Sequence, residues 1–299
     1  MLYHSVMPIK HWTPHEVARI VAASGKPLEV AAAQAFLGRA SWSAALGTYF
    51  EERNTLKPPR ELDVLTTRET SIVGQLGTDL TCRVRGLVSC KGFSPRQQPV
   101  AYSVATSSVP GFAPRLLSQH RAQRVPYGES YGRLVDIEAE AATRLLTALG
   151  MATSSPLVAL DIINDTDQRN QRKLSDKDLF EGVDSALKAA FFWQGARLSE
   201  GHFVELFVPA LVLLRPWWEV PIDGGDIGIP TESHRGYLTC RYPNPDHGSP
   251  REPTVDVTVL LVSRDELDAL VDAFDGLFEW LAIKSAALFG QVPPAPGIP

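Results

Sequence analysis

The chain has 299 residues, of which 44 % are hydrophobic and 21 % charged, a balance that excludes a disordered or collagen-like protein. Twenty-nine Lys and Arg against thirty-four Asp and Glu leave a net charge of −5, so the surface as a whole does not bind polyanions. Contact with a nucleic acid then requires a local basic patch. Three cysteines, Cys82, Cys90 and Cys240, are too few and too scattered for a disulfide framework or a structural zinc site. The longest apolar stretch, Phe207 to Leu214, has the length of a strand and falls far short of a membrane-spanning helix. No signal-peptide pattern opens the chain, and a cytoplasmic protein with reduced thiols is expected.

In chain order, Thr13-Pro14-His15-Glu16 reads as a capping box opening a helix, with Val17, Ile20 and Val21 as its buried stripe. A second helix is expected from about Pro27 to Gly38, its alanine-rich face packed closely on a sheet. Trp42 to Glu52 reads as a strand, and Lys57-Pro58-Pro59 as a turn. Arg60 to Leu65 alternates, which places Glu61 and Asp63 on one face and Leu62 and Val64 on the other. Leu80 to Lys91 is a third strand and Pro99 to Ala105 a fourth, so the opening reads as helices followed by a strand meander. Residues 106–133 give no periodicity. Helices are expected over Val135 to Leu149 and Ser175 to Gly195, and strands over Leu157 to Ile163, Phe203 to Leu214 and Val255 to Val262. Phe203 to Leu214 is apolar almost throughout, which predicts that both its faces are covered. Ser263-x-x-Glu266 reads as the cap of a last amphipathic helix. Residues 1–105 hold a core of helices and strands, 106–290 continue the same α/β domain with added elements, and 291–299 form a loose proline-rich tail.

Phosphate-binding glycine loops, dinucleotide fingerprints and nucleophile elbows are all missing from the sequence. His11 and His15, four apart, are split by the cap at Thr13, which argues against a shared metal. His234, Cys240 and His247 fit no zinc spacing. Basic residues gather in one stretch: Arg83, Arg85, Lys91 and Arg96, then Arg115, Arg121 and Arg124 with Tyr127 and Tyr131. Phosphate contacts with occasional base stacking suit that mixture. A second basic run comprises Arg169, Arg172, Lys173 and Lys177. Trp217-Trp218 reads as packing at a strand end.

One constellation carries chemistry. Glu29 opens a helix within Leu28-Glu29-Val30. Asp63 lies in the strand Arg60-Glu61-Leu62-Asp63-Val64-Leu65, and Lys91 ends Gly86-Leu87-Val88-Ser89-Cys90-Lys91-Gly92. In order and spacing, residues 27 to 105 resemble the PD-(D/E)xK nuclease superfamily. The resemblance implies a restriction-endonuclease-like fold, a mixed central sheet flanked by helices, here with an elaborated C-terminal half. It also implies a nucleic-acid substrate, DNA in the first place, and phosphodiester hydrolysis with Mg²⁺ or Mn²⁺, which lowers the pKa of a bound water and neutralises the phosphate. In family terms Asp63 is the principal metal ligand, Cys90 offers its main-chain carbonyl, Lys91 orients the water or stabilises developing charge, and Glu29 holds a metal-bound water. Ser89 departs from the pattern, standing where the family carries an acid. Glu61, expected on the same face as Asp63, is the residue able to stand in. The alternative is a catalytically degenerate nuclease fold that serves as a nucleic-acid or protein binding module. A homo-oligomer or a protein partner is compatible with either.

Overall fold

The computed structural model describes residues 13–50, 59–73, 79–104, 113–121, 127–165, 172–175, 177–195, 202–243 and 254–289. Its first helix, α1 (Pro14–Ala23), starts with the expected capping box: the Glu16 amide donates to Thr13 Oγ1 at 3.2 Å, and Glu16 Oε2 accepts from the Thr13 amide at 2.9 Å. The expected burial of its stripe is corrected. Val17, Ile20 and Val21 are 46, 47 and 49 % exposed, because α1 packs on the next helix and not on the sheet. Helical period identifies an apolar stripe without saying what lies opposite it.

That next helix, α2 (Lys26–Leu37), buries Leu28, Glu29, Ala32, Ala33 and Phe36. Its alanines let it lie close to β1 (Trp42–Phe50), β2 (Arg60–Val73) and β3 (Asp79–Lys91), which form an antiparallel meander. Phe36 anchors the contact, with its ring 5.1 Å from Trp42 and 5.4 Å from Phe274.

The strand expected to extend this meander does not join it. β4 (Gln97–Val104) pairs instead with β6 (Leu157–Asp165) and β9 (Trp217–Asp223) on the far side of the sheet. The neighbour of β3 is β8 (His202–Leu213), parallel to it along its whole length. β5 (Leu117–Arg121), β7 (Arg172–Ser175), β10 (Asp226–Ile227), β11 (Thr231–Ser233), β12 (Arg235–Pro243) and β13 (Thr254–Ser263) complete a mixed thirteen-stranded sheet. Its main path runs β1-β2-β3-β8-β13-β12-β6-β4-β9-β10.

Both faces of β8 are buried, as its continuous apolar run predicts. Val204, Leu206, Val208 and Val212 enter one core, and Phe207, Leu211 and Leu213 the other. Pro209, with no amide to donate, falls where the neighbour of β8 changes from β5 to β13.

Among the described residues, α2, α3 (Tyr127–Ala148) and α5 (Leu267–Phe289) line one core, while α4 (Lys177–Gly195) covers the other face. α3 begins earlier than its apolar period indicates. Ser175, expected to open α4, is the last residue of β7. Ser263 does not cap through its side chain: its hydroxyl meets His234 Nδ1 at 3.1 Å, and a 3-10 turn, Arg264–Glu266, leads into α5. Trp217 is buried at the start of β9, as a packing role requires, whereas Trp218 is 41 % exposed and the expectation is corrected for it. Residues 51–58, with Lys57 and Pro58 of the expected turn, and the tail 291–299 lie outside the described residues, as do His11, Arg169 and His247.

Candidate active site

The site sits where β2 and β3 part. Their ladder runs from Val73–Asp79 to Val64–Val88 and ends there, while the β1–β2 ladder lacks the pair that would join Gly47 to Asp63. Gly47 has φ +60°, a left-handed conformation that a side chain disfavours, and an added Cβ would meet Glu61 Oε1 at 3.0 Å. Across this break the strand changes faces. Leu62 enters the core under α4, whereas Val64 enters the core under α2 and α5. The expectation that Leu62 and Val64 share a face is thereby corrected, since simple alternation holds only along an uninterrupted ladder.

Released from the ladder, Asp63 turns its carboxylate toward β3. Oδ2 accepts the Cys90 amide N–H at 2.7 Å and the Ser89 hydroxyl at 3.0 Å. Ser89 is 2 % exposed and Cys90 5 %, so the carboxylate satisfies donors that no water reaches easily. Among the described residues, no hydrogen bond reaches Oδ1.

Two further carboxylates approach from the α2 side. Glu29 is buried in the first turn of α2, and Lys26 Nζ donates to its Oε2 at 2.8 Å. The same ammonium reaches Glu61 Oε1 at 3.3 Å, and Tyr49 donates to Glu61 Oε2 at 3.4 Å. The hydrogen bond to Glu29 holds the Lys26 ammonium well above the ordinary lysine range, against the opposing effect of desolvation, so it stays charged. A Cβ on Gly25 would sit 3.5 Å from Glu29 Oε1 and 3.6 Å from the Cys90 carbonyl oxygen, which places both oxygens around the turn between α1 and α2. Burial pushes the Cys90 thiol well above its ordinary value, and the charges of Asp63 and Glu29 push it further. The thiol therefore remains protonated, and the hard main-chain carbonyl is the group Cys90 can offer a divalent ion.

Lys91 follows Ser89 by two residues and lies on the face of β3 covered by α4. Its stem rests against the helix at Gly182, where a Cβ would come within 2.8 Å of Lys91 Cε and of Leu211 Cδ1. Glycine at 182 thus leaves room for the lysine stem.

The oxygens available to Mg²⁺ are Asp63 Oδ1, Glu29 Oε1 and the Cys90 carbonyl. Among the described residues, no three His, Cys, Asp or Glu side chains come together to hold a metal ion. Mg²⁺ is commonly held by one or two carboxylates together with waters and substrate phosphates, and carboxylate and carbonyl oxygens are of the hard kind it prefers.

The expected basic patch divides. Arg83 and Arg85 share a face of β3, but they pair with the buried Glu205 of β8, and their side chains are only 13 and 11 % exposed. Arg83 also reaches Glu69 at 2.7 Å, and Arg85 lies 4.9 Å over the Trp193 ring. Arg96 is exposed in the turn before β4, and Arg121 ends β5. Arg124 lies outside the described residues.

Lys26, Gly47 and Glu205 belong to this region and were not singled out by the sequence. Signals for two of them existed: Lys26 precedes Glu29 by three residues on one helix, and Glu205 is the lone acid of an apolar strand. The strand break at Gly47 depends on tertiary pairing and leaves only an isolated glycine as its trace. Searches against protein-family models, curated proteins and solved structures found no match to this chain.

Proposed function

We propose that the chain is a metal-dependent nuclease of the PD-(D/E)xK kind with a restriction-endonuclease-like core, acting on the phosphodiester bonds of DNA. The observation that carries the reading is Asp63, a carboxylate freed from its own ladder and fixed by the Cys90 amide. Asp63, that carbonyl and Glu29 would hold Mg²⁺ or Mn²⁺, whose chemistry is to neutralise the scissile phosphate and acidify a bound water. Lys91 orients the attacking water, and its stem is kept in place by Gly182 and Leu211. Ser89 positions Asp63 and adds no charge. Arg96 and Arg121 stand as phosphate contacts. The three free cysteines suit a cytoplasmic setting; among the described residues no helix is long and apolar enough to cross a membrane. The test is cleavage of single- and double-stranded DNA and RNA with Mg²⁺ or Mn²⁺. Activity lost in Asp63→Asn supports the reading, and activity that survives it overturns it.

A second reading, a degenerate nuclease fold kept as a binding module, is favoured by one observation. The residue at the family's acid position is Ser89, and its hydroxyl is spent on Asp63. An inert wild type that gains cleavage as Ser89→Glu supports this alternative.

A further inference from the structure

We propose that Lys26 is a resident counter-ion of the site, an ammonium that competes with a divalent cation for Glu29 and holds Glu61 beside it. The inference rests on the reading of the β2–β3 fork as a metal site and adds how that site is regulated. Three features carry it. Lys26 Nζ bridges the two acids, at 2.8 Å from Glu29 Oε2 and 3.3 Å from Glu61 Oε1. These acids come from different elements, α2 and β2, and thirty-two positions separate them in sequence (29 and 61). Last, the bridge is unequal in exposure: Glu29 is 8 % exposed at its side chain, Glu61 37 % and Lys26 61 %.

A buried carboxylate facing a second acid needs a positive charge between them. In this chain it is supplied by a long, solvent-borne side chain that can swing away without disturbing the core. A divalent ion at Asp63 and the Cys90 carbonyl meets Glu29 already neutralised by Lys26. It must either share Glu29 or displace the ammonium. An anionic phosphodiester near the fork offers Lys26 a different partner and so frees Glu29 for the metal. The arrangement therefore lowers metal affinity in the absence of nucleic acid.

Mn²⁺ titration of the full chain at neutral pH, read by calorimetry, tests this on wild type, Lys26→Met, Lys26→Arg and Asp63→Ala. Lys26→Met keeps the aliphatic stem and removes the charge. Its Mn²⁺ affinity is expected to rise about five- to tenfold, the order expected for removing one partly solvated like charge from the site. Lys26→Arg should behave as wild type. In the same samples, Lys26→Met should melt at a lower temperature than wild type in EDTA, and Mn²⁺ should restore it. Equal or weaker Mn²⁺ binding by Lys26→Met overturns the role of Lys26; the nuclease reading then stands if binding is lost in Asp63→Ala. Mn²⁺ binding that persists in Asp63→Ala, or is absent from every variant, overturns both.

Discussion

The Asp63 carboxylate and the Cys90 amide are joined by a 2.7 Å hydrogen bond across a gap where β2 and β3 no longer pair. The acid thus replaces a strand carbonyl as the acceptor for a buried N–H, and it is held at the sheet opening by the fold itself. Structure and proposed chemistry share one group. Asp63→Ala should therefore leave the Cys90 amide and the Ser89 hydroxyl unsatisfied and cost about 1–3 kcal/mol of stability. Asp63→Asn keeps an acceptor oxygen and should cost less, while losing the charge that the metal requires. Chemical denaturation of both variants beside a cleavage assay separates the two effects.

Glu205 lies 3 % exposed between Arg83 and Arg85, and it is the partner both arginines share. Glu205→Gln removes the negative charge from two largely buried guanidinium groups and should destabilise the protein by ~3–5 kcal/mol. Arg85→Met in the Glu205→Gln background should recover part of that loss, because Arg83 keeps Glu69 as a partner. Denaturant melts of the single and double variants decide it. If Arg85 were chiefly a phosphate contact, Arg85→Ala would lower DNA affinity and leave stability unchanged.

Much of the fold was legible in the sequence. Thr13 and Glu16 gave the start of α1, the alanines of α2 gave its sheet-facing side, and the unbroken apolar run gave a doubly covered β8. Asp63, Ser89 and Cys90 meet at the fork, in the part of the chain where order and spacing drew attention, while Glu29 approaches from the α2 side and Lys91 lies on the α4 face of β3. What escaped was non-local. Strand period cannot tell that β4 leaves β3 for β6 and β9, because pairing choice depends on which apolar faces meet in three dimensions. The open stripe of α1 escaped for the same reason. Nor can alternation show that Leu62 and Val64 part company, since the break depends on Gly47 in the neighbouring strand. Arg83 and Arg85 read as surface charge until Glu205 appeared opposite them.

Gly86 sits where β3 passes beneath Phe274. A Cβ there would lie 2.7 Å from Phe274 Cε2, in the core lined by α5, and closer still to Oγ1 of the buried Thr66. Gly86→Ala should cost about 1–3 kcal/mol by overpacking. A thermal melt checks it, with an unchanged melting temperature as the contrary result.

Glu140 ties α3 to α5. It accepts from Lys284 Nζ at 2.8 Å and Trp280 Nε1 at 3.1 Å, and from Arg144 on its own helix at 3.2 Å. The hydrogen bond from Lys284 holds its carboxyl below the ordinary 4.5. A depressed folded-state value means that the unfolded chain binds the proton more readily. The contribution is therefore complete above pH 4.5 and is lost as pH falls through the lower, folded value. The group is partly solvated, so the effect is under about 1 kcal/mol. Glu140→Gln should flatten this part of the acid limb of the stability–pH profile; denaturant melts across that limb check it, and an unchanged limb is the contrary result.

The most direct test of the central claim is Mg²⁺ and Mn²⁺ titration of wild type, Asp63→Ala and Ser89→Glu, with a nucleic-acid cleavage assay on the same samples. The nuclease reading predicts saturable metal binding and metal-dependent cleavage in wild type, loss of both in Asp63→Ala, and tighter binding in Ser89→Glu. Metal binding and cleavage unaffected by the removal of Asp63 would contradict it.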